Sequence, residues 1–274
     1  MWAPAEQSRA ASWSAHRSDR SASALGLALL LLALQLLALQ LLAQVAGPPP
    51  AHAAGLSLGW QDCRTGGGAG QPNQNFGCNS IIVEFPLFPG LVLDSAIDSV
   101  LAVELVIDVD VAVDPLPAWW RMDPGQCHAN GWAADASLSG TCADPWLGRG
   151  AASAQGWLAG QPGGIGRHGR LLVAAAAAPG ELITLDSATT YTLCRILLRS
   201  NNTLTCAGCS TPACLVFNSV LIRRLPGATP EEILLTGAEV AGVERVTWQA
   251  GSGANCASVP TRRSTWSAVK ALYR

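Results

Sequence analysis

The strongest pattern of apolar and polar positions in the chain runs from Leu101 to Asp114 and reads LAVELVIDVDVAVD. Leu101, Val103, Leu105, Ile107, Val109, Val111 and Val113 recur at period two, with Glu104, Asp108, Asp110 and Asp114 in alternate positions. Successive strand side chains point to opposite faces, so this is a long strand with a dry side and a wet side, central in an antiparallel sheet. On that reading an acid at Val109 unfolds the domain, whereas Asp110 is replaceable by Asn at little cost. A dry face of this length needs a covering layer. The chain holds several more β-prone runs and little amphipathic helix, so the second layer is another sheet. The expected fold class is all-β, an antiparallel β-sandwich of jelly-roll or Ig-like topology with disulfide-stapled loops and a short C-terminal helix.

Further strands follow from the same patterning. Leu56 to Trp60 alternates, and Arg64 to Asn75 after it has no apolar anchor and reads as a loop. Ser80 to Phe88 is β-prone but contains Pro86, which assigns it to a sheet edge or a bulge, and Pro89-Gly90 reads as a turn. In extended chain Trp119 and Trp120 point opposite ways, one into the core and one toward the surface. The stretch up to Trp157 shows little secondary-structure pattern, and Gly160 to Gly169 is a flexible turn region. Leu171 to Ala178, Thr189 to Arg199 and Leu215 to Arg223 are strands, and Glu231 to Thr236 pairs with Val243 to Gln249. Trp266, Val269 and Tyr273 share one face of a final helical octet, which is too short to stand without docking on the sandwich.

Charge and composition change the picture at the N-terminus. Arg9, Arg17 and Arg20 precede Leu25 to Leu42, a nearly unbroken Leu/Ala run, and Gly47-Pro48-Pro49-Pro50 breaks it before Ala51 and Ala53. This is a secretory signal with a long polar leader over residues 1–53, cleaved after Ala53, followed by a single domain over 54–274. The rival is an uncleaved anchor, in which case the membrane is touched only through this segment. No sorting or wall-anchoring segment is expected after Arg274. The remaining chain is weakly acidic, and its only paired basic residues are Arg223-Arg224 and Arg262-Arg263. Nucleic acid is therefore excluded as a partner.

Export makes the cysteines disulfide candidates. Cys63 and Cys78 flank the Gly-rich loop, Cys127 and Cys142 repeat their spacing, and each pair reads as a staple worth about 3 kcal/mol for a loop of about 15 residues. Cys206, Cys209, Cys214 and Cys256 form two further bonds in any of three connectivities. That set could instead be a redox pair or a zinc site, but no βαβ unit supports the first and the oxidising compartment opposes the second. Cys194 is left over as a buried free thiol in a strand.

Candidate chemistry is sparse. Asp108, Asp110 and Asp114 could coordinate Ca²⁺ or flank a glycosidic bond, yet the straight strand favours a plain solvated face. His128 and His168 lie in loops with no Ser or Asp in a nucleophile context. No metal or other cofactor is expected. Trp132, Trp146 and Trp157 either plug the end of the sandwich or form a platform on which a flat ligand such as a sugar ring stacks.

Gly59-Trp60-x-Asp62-Cys63, Pro117-x-Trp119-Trp120, Cys206-x-x-Cys209-Ser210-Thr211-Pro212-x-Cys214 and Thr265-Trp266-x-x-Val269-Lys270-x-Leu272-Tyr273-Arg274 together resemble a family of small secreted bacterial proteins with no assigned activity. The likeness covers most of residues 55–274 and departs from the pattern at Cys194. It implies export and disulfides and carries no activity, cofactor or catalytic residue. The sequence thus points to a secreted or periplasmic binding or structural module whose partner is carbohydrate or another extracellular protein. The competing reading is a secreted, glycosidase-like hydrolase using strand or loop carboxylates.

Overall fold

The strand at the centre of the pattern forms over Ile97–Val111 and is β4 of the thirteen strands found, in chain order, among the described residues. The structure is a computed structural model and describes residue 35 and residues 54–257, apart from 65–67, 139–141, 165, 188 and 239–241. The export segment (Gln35 aside), its cleavage position and the helix expected at Trp266 to Tyr273 lie outside the described residues. Among the described residues no helix is long and apolar enough to cross a membrane.

Two sheets face each other. One has five strands in the order β1 (Gly55–Trp60), β3 (Glu84–Val92), β10 (Arg195–Arg199) and β5 (Trp132–Asp135), with β9 (Tyr191–Thr192) also on β3. The other has eight, in the order β2 (Asn73–Gln74), β13 (Arg245–Trp248), β11 (Ala213–Arg224), β4, β7 (His168–Ala176) and β6 (Ala151–Ala159). Beside that path β12 (Glu232–Thr236) pairs with β11 and β8 (Ile183–Leu185) with β4. Strand pairing is antiparallel except between β13 and β2. The expected all-β sandwich is therefore present, and β4 is central, with β11 on one side and β7 on the other.

The core lies between the sheets. Val103, Leu105, Ile107, Val109 and Val111 are buried there, but β4 ends at Val111, and Val113 is exposed and does not extend the dry face. Trp119 and Trp120 are both fully buried, not one in and one out, because Ala118–Trp120 is a 3₁₀ turn. Side chains step by about 120° in such a turn, so neighbours can enter the same core. Trp119 stacks on Trp248 at 5.0 Å, and Trp60, Phe76 and Phe85 complete an aromatic cluster at this end.

Several boundaries differ from the sequence reading. β3 is not an edge: it runs through Pro86, Pro89 and Gly90 with partners on both sides. Pro86 accepts from Gln61 N where β1 has just ended, and Pro89 accepts from Leu193 N in the gap between β9 and β10. Each proline thus falls where the neighbouring strand is interrupted, which is where a missing donor costs least. β12 and β13 do not pair with each other, but lie end to end along the same side of β11. The stretch before Trp157 contains β5 and β6.

The disulfides correct the expected staples. Cys63 bonds Cys142, Cys78 bonds Cys209, Cys127 bonds Cys206 and Cys214 bonds Cys256, leaving Cys194 free and buried. The Gly-rich loop closes without Cys63–Cys78, because Trp60 and Gln71 exchange two backbone hydrogen bonds and Gly70 N reaches Cys63 O. With the loop closed by backbone, its cysteines tie it to other parts of the chain.

Candidate functional site

Alternation along β4 sends Asp108 and Asp110 to the face opposite the core, but they are not solvated: Asp108 is 7% exposed and Asp110 6%. Basic residues on β7 explain this. In the β4–β7 register Asp108 stands directly across from Arg170, and Asp110 from His168. Arg170 grips Asp108 with both arms of its guanidinium, Nε to Oδ1 at 2.6 Å and Nη2 to Oδ2 at 3.0 Å. From the other side Asn218 donates its amide to Asp108 Oδ2. Asn218 is the extra residue of a bulge in β11, between Phe217 and Ser219, which turns its side chain to that face.

Asp110 is held by two ion-pair contacts and one hydrogen bond. His168 Nε2 and Arg167 Nε, the latter at 3.2 Å, face its Oδ2, and Asn255 N donates to its Oδ1 at 2.6 Å. The other ring nitrogen of His168 faces Pro162 O at 3.1 Å. Cys214 lies across from Asp110 on β11, and its bond to Cys256 anchors the segment carrying Asn255 over the cluster. The space left among Asp108, Asp110, His168 and Asn255 has room for about one water. Glu104, on the same face, is taken by Arg223 at 2.9 Å. Asp114 lies past the end of β4 and is exposed, apart from this cluster.

The remaining sequence candidates are dispersed. His128 is completely buried, with Nδ1 at 2.7 Å from Trp119 O and Nε2 at 2.9 Å from Arg199 O, and its ring stacks on Trp119. Burial pushes its pKa below the ordinary imidazole value, against the pull of the two carbonyls. Burial likewise pushes the Cys194 thiol far above its usual range, so it is inert as a nucleophile. Asp62, Cys63 and Cys142 bring potential metal-ligand atoms within 4.8 Å of one another. Both sulfurs are spent in a disulfide, and Asp62 instead accepts from the Cys63 and Ala69 amides.

Trp132, Trp146 and Trp157 are buried, 7%, 1% and 5% exposed. Trp146 donates to Leu193 O at 2.6 Å. Trp132 of β5 and Trp157 of β6 stack at 6.3 Å, joining the two sheets along one side. Compared with known proteins, the chain matches no family model, no curated protein and no solved structure.

Proposed function

We propose that this is an exported β-sandwich module that binds another extracytoplasmic protein or serves a structural role. The observation that carries this reading is the state of the β4 carboxylates. Asp108 and Asp110 are each engaged by basic side chains and hydrogen bonds. A glycosidase needs a pair of carboxylates facing across room for substrate, and a general base needs a free lone pair. Here both ring nitrogens of His128 and of His168 face oxygen acceptors. Disulfides that fasten distant segments suit an oxidising compartment. The buried tryptophans favour a protein partner over a sugar ring.

The test has two arms. The protein recovered from the periplasm or medium should begin at Ala54 by intact mass, and retention of Leu25 to Leu42 would refute export with cleavage. That protein should turn over no polysaccharide, chromogenic glycoside or peptide faster than an Asp108→Asn variant does. Turnover lost in Asp110→Asn, while the variant keeps its near-ultraviolet circular dichroism, would establish the hydrolase.

A further inference from the structure

A sheet edge offers a row of unpaired N–H and C=O groups, and folded proteins cover, shorten or charge such edges. Most edges of this sandwich are handled in one of those ways. The outer side of β1 donates from Leu56 N to Gly237 O and from Leu58 N to Val243 O, β2 has two residues, and β5 has four. β12 has five and carries Glu232, paired with Arg223. The exception among the described residues is β6, nine residues long, reading AASAQGWLA without a charge or a proline.

Backbone direction along β6 follows from two hydrogen bonds. Val111 N→Arg167 O and Gly160 N→His168 O set the alternation of β7 between its neighbours. Ala151 and Ser153 then bond toward β7, and the N–H and C=O of Ala152 and Ala154 point out of the sheet. The bulge between Ala154 and Gly156 comes after this pair and leaves it regular. Ala152 and Ala154 pack their methyls against the core, and Ala151, Ser153 and Gln155 are exposed on the opposite face.

We infer that the free edge of β6 joins two copies of this chain as an antiparallel strand pair about a two-fold axis at Ser153. Ala152 of each copy exchanges backbone hydrogen bonds with Ala154 of the other, and the two Ser153 side chains lie side by side at the axis. An identical strand fits because an isologous contact repeats each pairing about the axis, Ala152 on Ala154 and Ala154 on Ala152, and a strand without charge sets no like charges opposite each other. The small side chains let the two edges approach. This inference stands apart from the reading of export and activity above.

Light scattering on the purified protein, with amide exchange, tests it. The native protein should show twice the chain mass and slow exchange at Ala152 and Ala154. Ser153→Lys and Ser153→Glu should each show the single-chain mass, fast exchange at those amides and a still cooperative unfolding transition, since Ser153 is exposed. Mixed in equal amounts, the two variants should regain the double mass, because Lys then lies beside Glu. A native protein of single-chain mass at every concentration, a dimer that survives both substitutions, a mixture that stays monomeric, or a foreign chain found on β6 would each overturn the inference.

Discussion

At Asp110 the environment reverses what the residue's place in the pattern implies. A carboxylate on the wet side of a strand is replaceable, but this one is buried among His168, Arg167 and Asn255 N. Asp110→Asn should therefore cost about 1.5–3 kcal/mol in urea unfolding, the range for a lost hydrogen bond to a charged group; an unchanged midpoint would return Asp110 to the solvent. Arg170→Met should cost more, about 3–5 kcal/mol, because it strands the buried Asp108 charge. His128 gives the domain a pH dependence. Its folded pKa is lowered, chiefly by burial, so as pH falls the unfolded chain takes up the proton first. This contribution to stability is whole above the unfolded value of about 6.5 and is lost as pH falls from there toward the lower folded value. Melting of the native protein and of His128→Asn between about pH 7.5 and about pH 5 should show a steeper decline in the native protein, whereas parallel slopes would assign the dependence elsewhere.

At the scale of the elements, neighbours decide what a local pattern can only permit. Glu84–Val92 contains two prolines and a glycine and still forms a central strand, because the adjoining strands break beside each proline. Gly169 has a comparable role on β7. A Cβ there would meet Trp157 Cζ2 at 2.0 Å, so the absent side chain is what lets Trp157 lie inward and stack on Trp132. Gly169→Ala should displace that stack and cost about 1–3 kcal/mol, the usual range for overpacking, with a change in tryptophan fluorescence; neither effect would appear if the seam between β5 and β6 were loose. Val109→Asp places a carboxylate on the dry face among Ile107 and Val111 and should prevent accumulation of folded protein. Soluble, cooperatively melting Val109→Asp would mean that the register of β4 is wrong.

Across the whole molecule the disulfides act over long range. They join residues 79, 131, 79 and 42 apart, and loops of those lengths correspond to about 4–5 kcal/mol each in the chain-entropy treatment, against about 3 for a local staple. Replacing Cys78 and Cys209 together by Ser should lower stability by about 2–5 kcal/mol. Peptide mapping without reductant should recover Cys63 with Cys142 and Cys78 with Cys209. A Cys63–Cys78 peptide would contradict the fold, since the two sheets would then lose a tie. Thiol labelling of the denatured, unreduced chain should mark Cys194.

Period-two alternation was legible in the sequence because it is local: it located β4, β11 and the strand pieces around Thr189 to Arg199, and with the cysteines it indicated an all-β sandwich. The polar cluster was half legible. Asp108-x-Asp110 and His168-x-Arg170 carry complementary period-two charges, but only the antiparallel register sets them opposite each other, and sequence spacing does not encode which strands are neighbours. The same limit explains the cysteines. Equal spacing suggested two local loops, whereas bonding follows which sulfurs the packed sheets bring together. Burial of Trp119 and Trp120, the course of β3 through its prolines, and the open edge of β6 were likewise decided in three dimensions, because each depends on what lies across a strand or a sheet and not on what lies beside it in the chain.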